Sequence, residues 1–323
     1  MILFGGWGKI GINCFVLITG YFMCKSKITL SKFVKLYLQI IFYAFIIDFI
    51  FMLSREMPVD IKSLYKFFHH IVPVTGINQN FTSCFIVFWL LIPFLNTLIQ
   101  HIDKRAHRIL ILLCVVFFSI MPLDPTYKVS INYVEWFCIL YFIASYIRLH
   151  EEDFASITHN QWGALSIISI LIAIATMLAL TWIWMNGNTS RFVPYILVSD
   201  SNQIIAVLVA LATFMWFKDA KIKQSRFINT VGASTFGVLL IHAHSDTMRQ
   251  WLWKETFEMT DYYNELPALQ MILYASFVVL LIFCTCSVIE ILRTKIIEPR
   301  LNTRIEEILK AGGRKLKSSL VID

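Results

Sequence analysis

Long apolar stretches separated by short polar turns recur along the whole chain. They predict helices at about 7–24, 33–54, 82–100, 108–122, 133–149, 162–184, 203–217, 228–245 and 267–292. Stretches of about 20 apolar residues are long enough to cross a hydrocarbon core of ~30 Å. The pattern therefore predicts an all-α polytopic membrane protein, with about nine transmembrane helices in one bundle.

Composition supports this class and excludes a soluble domain of the same length. Hydrophobic residues make up 58% of the 323 positions and charged residues only 15%, with a mean hydropathy of +0.68. Globular domains carry about 25% charged residues. The seven cysteines fall mostly inside apolar stretches, where they behave as small hydrophobes, so we predict neither a disulfide nor a metal site.

The basic residues are distributed unevenly between alternate loops. One set of loops, together with Arg293 and the basic tail at 294–323, carries 20 of the 28 lysines and arginines. By the positive-inside rule, the hairpin at 25–35 and the C-terminus are predicted to be cytoplasmic in a cell membrane. This topology accounts for the net charge of +7 without nucleic acid. With nine helices it places the N-terminus outside, so one further helix is expected before Met1.

Several polar segments are predicted to lie on the membrane surfaces. Residues 55–81 have the composition of an amphipathic surface helix, and the polar, aromatic segments 185–202 and 246–266 are expected to be loops that meet a polar ligand. Residues 304–310, in the tail, are expected to form a short helix held by anionic lipid.

The hairpin between the first two helices carries the first candidate binding residues. Lys32 and Lys35 are three residues apart and so share one helix face, which suits the phosphates of a cofactor. The alternative is that they only set the topology. Gly20 and Tyr21 offer a close backbone approach and a phenol at the preceding helix end, where Gly20 can equally be a helix cap.

Three further residues are candidates for chemistry. Asp48 lies within an apolar helix, where carboxylates are costly enough to be functional candidates by default, unless it is hydrated at the interface. His242 and His244 lie near the end of the eighth predicted helix. Residues i and i+2 do not face each other on a helix, so joint metal binding is not predicted. His242 is our candidate for an acid or base, against the alternative of a structural histidine.

Four segments together resemble the acyltransferase-3 family of integral-membrane O-acyltransferases. The first, Gly11–Tyr21, is a glycine-bearing apolar run that ends in Thr-Gly-Tyr, where the family has Ser-Gly-Tyr or Ser-Gly-Phe. The others are Phe85–Trp89 with Pro93–Asn96, Ser234–Gly237 with Ile241–His242, and Ile297–Pro299. The resemblance covers nearly the whole chain.

The resemblance implies a ten-helix bundle that transfers an acyl group from cytoplasmic acyl-CoA to a carbohydrate. It implies that Lys32, Lys35, Gly20 and Tyr21 bind acyl-CoA, a co-substrate rather than a resident cofactor. Two departures matter. Lys32-Phe-Val-Lys35 replaces the family's Arg-x-x-Arg, which keeps the charge and loses the bidentate fork. The family's first helix, with its catalytic histidine, has no counterpart here and would precede Met1.

The resemblance makes a membrane O-acyltransferase the leading hypothesis, with acetyl-CoA as the expected donor and a surface or lipid-linked glycan as the acceptor. Because the expected base is absent from the sequence, an inactive protein is one of the expectations. The alternatives are a transporter or flippase for a polar solute or glycan precursor, and a catalytically dead accessory member of the family. An upstream, in-frame apolar segment carrying Arg and His would indicate a misplaced start.

Overall fold

A computed structural model describes most of the chain. The described residues are 7–54, 60, 61, 65, 68, 80–124, 126, 127, 131–187, 197–301, 303 and 304. Across these residues the regular structure is helical throughout, without a strand. The predicted all-α class is therefore confirmed.

The α-helices follow the predicted order closely. They are α1 (Trp7–Met23), α2 (Leu30–Leu53), α3 (Phe81–His101), α4 (Lys104–Val115), α5 (Tyr133–Leu149), α6 (His159–Asn186), α7 (Ile204–Lys218), α8 (Arg226–His242), α9 (Asp246–Gln250), α10 (Met259–Glu265) and α11 (Ala268–Ile296). A π-helical turn (Val116–Ile120) and a 3₁₀ turn (Met121–Leu123) continue α4, and a second π-helical segment (Trp251–Thr256) follows α9. The nine predicted helices correspond to α1–α8 and α11.

Side-chain caps set several of the helix starts. Asp103 accepts a hydrogen bond from the Ala106 backbone N–H, so α4 begins at Lys104 rather than near 108. Thr158 and Gln161 form a reciprocal capping box that starts α6 at His159. These short-range bonds satisfy backbone donors that a helix would otherwise leave unpaired.

Five helical segments within the described ranges are long and apolar enough to cross a membrane. They are α2, α3, α4 with its continuation to Leu123, α6 and α11, with lengths of 20–29 residues. The other predicted spans, α1, α5, α7 and α8, are 15–17 residues long. The protein is thus a polytopic membrane protein, as predicted.

The helices cluster into two compact units. The sequence predicts one transmembrane domain at 1–293, followed by the cytoplasmic tail at 294–323, and this domain division stays a prediction. The first unit comprises Met1–Ile28 and Gly76–Ile222. In it α5 is mostly buried and packs against α1, α3 and α4, while α6 and α7 pair with each other. Buried Asn13 is satisfied on both sides of its amide: it donates to the Ser201 carbonyl (2.7 Å) and accepts from the Trp136 indole N–H (2.9 Å).

The second unit comprises Thr29–Thr75 and Lys223–Asp323. Its centre is α8, which packs against α11 and α2. The segment at 246–266 was predicted as a loop, and this prediction was wrong: it forms α9, a π-helical segment and α10. The Ser245 side chain accepts from the Met248 N–H and starts α9, which a search for apolar stretches does not detect.

Two predicted surface helices lie outside the described residues almost entirely. These are the amphipathic helix at 55–81 and the tail helix at 304–310.

An ionic cluster joins α4 to the segment after α5. Asp153, in the 3₁₀ turn Glu151–Phe154, accepts from Lys104 Nζ (2.6 Å), from Arg108 (2.9 Å) and from the Tyr146 hydroxyl. The hydrogen bond from Lys104 contributes most to lowering the pKa of Asp153, from 3.8 to about 2. The cluster therefore favours the charged form of this carboxyl in the folded protein.

This shift predicts a pH-dependent contribution to stability. The folded-state pKa is depressed, so the contribution is complete above about pH 4 and is lost as the pH falls through about 2. We expect Asp153→Asn to lower the melting temperature at pH 6. The difference from the wild type should shrink between pH 4 and 2 in thermal unfolding of the purified protein. A difference that is equal at every pH would contradict this assignment.

Candidate functional site

A buried charged cluster joins α2 to α11 in the second unit. The Glu290 carboxylate accepts from Gln39 Nε2 (2.9 Å), from the Tyr43 hydroxyl (2.5 Å) and from Arg293 through Nε and a terminal nitrogen (both 2.8 Å). Only 4% of the Glu290 side chain and 8% of the Arg293 side chain are exposed. Charges removed from solvent to this degree are expensive unless fully hydrogen-bonded, and these two satisfy each other.

Helix α8 passes this cluster at a glycine. A Cβ placed on Gly237 would lie 2.5 Å from the carboxyl carbon of Glu290, far inside van der Waals contact. The absence of a side chain therefore lets α8 lie directly against the carboxylate. This gives a physical reason for the glycine of the Ser234–Gly237 segment.

A second buried pair lies at the C-terminal ends of α2 and α8. His244 Nε2 is 2.8 Å from Asp48 Oδ1, and only 8% and 4% of the two side chains are exposed. α8 ends at His242, so His244 lies in the turn before α9 rather than on the helix. This turn directs the imidazole onto α2. Phe51, in the last turn of α2, also packs against Trp251 in the π-helical segment after α9, with ring centroids 6.0 Å apart.

His242, the histidine selected from the sequence, has a different environment. Its Nδ1 lies 2.6 Å from the Val238 carbonyl, one turn earlier in α8. An imidazole N–H bonded to a carbonyl of its own helix is typical of a structural residue at a helix end. The two histidines therefore differ in chemistry although only two positions separate them.

Tyr21, at the end of α1, belongs to a charged cluster in the first unit. Its hydroxyl accepts from Arg148 (2.7 Å) and donates to Glu151 Oε1 (3.0 Å), and the Arg148 guanidinium lies 4.7 Å from the ring centroid. The Tyr21 hydroxyl, followed by Arg148, holds the pKa of Glu151 below its ordinary value. These contacts anchor α1 to the end of α5.

Gly20 provides a close helix contact. A Cβ at this position would lie 2.9 Å from the Ala144 Cβ and 3.3 Å from the Tyr141 Cα on α5. The structure thus gives Gly20 a packing role, while its predicted contact with acyl-CoA stays a prediction.

Lys32 and Lys35 lie in the first two turns of α2, which Thr29 caps. They belong to the second unit, whereas Gly20 and Tyr21 belong to the first. Lys35 and Asp48 are 13 residues apart, which corresponds to about 140° around the helix axis at 3.6 residues per turn. The lysines and Asp48 therefore occupy different faces of α2, and phosphate binding by the lysines stays a prediction.

An open hollow of about 590 Å³ lies in the first unit between the start of α6 and the end of α7. His159, Trp216, Phe217, Asp219 and Lys221 contribute to its lining. Aromatic and lysine side chains at helix ends are typical of membrane interfaces. This composition indicates that the start of α6 and the end of α7 are anchored at the membrane surface.

A family model described as an acyltransferase domain matches residues 1–291 of the 323. The chain belongs to the acyltransferase-3 family. No curated protein and no solved structure matches it significantly.

Family membership extends over both units. The matched range contains the Asp48–His244 pair and ends one residue after Glu290, within α11. The chain is accordingly an acyltransferase-family membrane protein.

Sequence reasoning missed four members of the buried clusters in this family member: Gln39, Tyr43, Glu290 and Arg293. Glu290 carried a usable signal, because it lies within an apolar helix in the same way as Asp48. Tyr43 gave none, since tyrosine is common at membrane interfaces, and Gln39 carries no charge that would mark it as costly in an apolar helix. Only the packing of α2 against the other helices identifies them.

Proposed function

We propose that this protein is a membrane O-acyltransferase that moves an acyl group, most simply acetyl, from acyl-CoA to a hydroxyl of a surface or lipid-linked glycan. Family membership over residues 1–291 carries the proposal. The charge asymmetry supports a donor from the cytoplasm, with the C-terminus on that side of the plasma membrane. Lys32 and Lys35 are the proposed contacts to the CoA phosphates.

The assay uses the full chain, purified and reconstituted in liposomes, with acetyl-labelled acetyl-CoA and a panel of short oligosaccharides. We expect protein-dependent release of the CoA thiol together with label on the oligosaccharide. Movement of an oligosaccharide into the liposomes without acyl transfer would instead support a transporter and overturn the proposal. Purified protein that neither transfers nor hydrolyses acetyl-CoA would also overturn it.

The same assay tests the donor site. Replacing Lys32 and Lys35 with glutamine removes two charge-assisted contacts, each worth about 1.5–3 kcal/mol when formed. We therefore expect the KM for acetyl-CoA to rise at least about tenfold, with kcat little changed. The matched control is Lys25→Gln with Lys27→Gln, which removes two charges from the same hairpin. Equal effects of the two double variants would show that only the total charge matters.

A further inference from the structure

The open hollow of the first unit lies where two antiparallel helices end side by side. Gly163, near the start of α6, lies against Trp216, near the end of α7: a Cβ on the glycine would be 2.9 Å from the indole nitrogen. One turn further into α6, the Ser166 hydroxyl is 2.8 Å from that of Thr213. Residue numbers rise along α6 while those of the contacts on α7 fall, so the start of α6 adjoins the end of α7. The hollow of about 590 Å³ opens between these two ends.

This end of the helix pair lies at a membrane surface. α6 is 28 residues long and apolar enough to cross a membrane, so its first turn lies at the edge of the hydrocarbon. His159 and Trp216 line the hollow with their rings 6.4 Å apart, and tryptophan is typical of the headgroup level. We propose that the hollow binds the headgroup of an anionic phospholipid, with the phosphate at Lys221. This inference does not depend on the proposed acyl transfer.

The charges around the hollow favour a phosphate. Lys221 contributes to the lining, and its side chain is exposed. Asp219 also lines the hollow, but its carboxylate lies 2.5 Å from Lys218 Nζ, and this ion pair offsets the acidic charge. The start of α6 adds the positive end of a helix dipole, because the first backbone N–H groups point out of the helix. A lysine beside a helix N-terminus suits a phosphate group.

Exposed apolar side chains favour a lipid over a soluble phosphate compound. Phe217 and Ile222 line the same hollow and are 59% and 64% exposed. The acyl chains of a phospholipid would cover such side chains, and burying apolar surface is favourable. A soluble ligand such as acyl-CoA would place its phosphates at Lys221 and leave these side chains uncovered. A basic hollow between helix ends at a membrane surface is the usual setting for an anionic lipid.

The test measures phospholipid binding by the full chain, purified in detergent. Dioleoylphosphatidylglycerol and dioleoylphosphatidylcholine have the same acyl chains and differ in net headgroup charge. We expect native mass spectrometry to show about tenfold tighter binding of the phosphatidylglycerol, the value of one charge-assisted contact. Lys221→Gln should lose this preference, and Lys221→Arg should keep it because the charge remains.

The matched control is Lys223→Gln, which removes the same charge from the next lysine in the sequence and should leave the preference nearly unchanged. Thermal unfolding supplies a second readout, because a ligand that binds the folded state raises the melting temperature. Phosphatidylglycerol should stabilise the wild type more than Lys221→Gln. Without added lipid the two proteins should unfold at the same temperature, since Lys221 is exposed, and this excludes misfolding as the cause of lost binding.

Three results would overturn the inference. Equal affinity of the wild type for the two lipids would show that the hollow does not select an anionic headgroup. Equal losses in Lys221→Gln and Lys223→Gln would show that only the total charge matters. Displacement of the bound phosphatidylglycerol by CoA would assign the hollow to the nucleotide instead of a lipid. A wild type that binds phosphatidylglycerol as expected but transfers no acyl group would contradict the proposed function alone.

Discussion

Replacing Glu290 with alanine is expected to destabilise the second unit by about 3–5 kcal/mol, the cost of leaving one partner of a buried ion pair uncompensated. The Arg293 guanidinium, with 8% of its side chain exposed, would lose both of its 2.8 Å bonds to the carboxylate. Gln39 and Tyr43 would lose their acceptor at the same time. Thermal or denaturant unfolding of the purified full chain measures the effect.

The matched control for this prediction removes both charges. Glu290→Ala combined with Arg293→Met leaves no buried charge unpaired, so the double variant should be more stable than Glu290→Ala alone. Glu298 lies 3.5 Å from Arg293 and is the obvious substitute partner. If Glu290→Ala lowers the free energy of unfolding by less than about 1 kcal/mol, Glu298 or solvent compensates the charge of Arg293. The cluster would then not hold α2 against α11.

Helix order was predictable because it depends on local information. A run of about 20 apolar residues can satisfy its backbone in a membrane only as a helix, so the sequence pattern nearly determines the element. The short α9 and α10 were missed because neither is a long apolar run: α9 starts at the Ser245 cap, and α10 is only seven residues long. The two-unit organisation depends on which helix faces pack together, and apolar runs do not encode those faces.

Whether the Asp48–His244 pair could be predicted depended on where α8 ends, to within a few residues. The predicted helix at 228–245 placed His242 and His244 on the same element, where they point in different directions. The helix ends at His242, and the following turn brings His244 to Asp48. Helix ends are the least reliable part of a sequence-based prediction, so a residue pair formed in such a turn was beyond it.

Asp48 shows the opposite case, in which the sequence was informative. A carboxylate inside an apolar helix indicates a site whatever the tertiary structure, because the cost of burying it requires a compensating partner. The sequence could not name that partner, which follows 196 residues later in the chain. Contacts of this range require the packing of α2 against α8.

Replacing Gly237 with alanine is expected to destabilise the second unit, although Gly→Ala inside a helix normally stabilises by about 1 kcal/mol. The new Cβ would lie 2.5 Å from the Glu290 carboxyl carbon. A free glutamate would move aside, but this carboxylate is bonded to Gln39, Tyr43 and Arg293. Overpacking of this kind costs about 1–3 kcal/mol, which outweighs the gain in helix propensity.

The control on the same helix is Gly232→Ala, because a Cβ there meets nothing within 4 Å. The two substitutions are chemically identical and should have opposite signs in thermal unfolding of the full chain. Coupling to Glu290 decides the cause: in a Glu290→Ala background the clash is gone, so Gly237→Ala should become neutral or stabilising. If Gly237→Ala destabilises the protein equally in both backgrounds, another contact of α8 requires the glycine. The Glu290 carboxylate would then not be the reason for a glycine at this position.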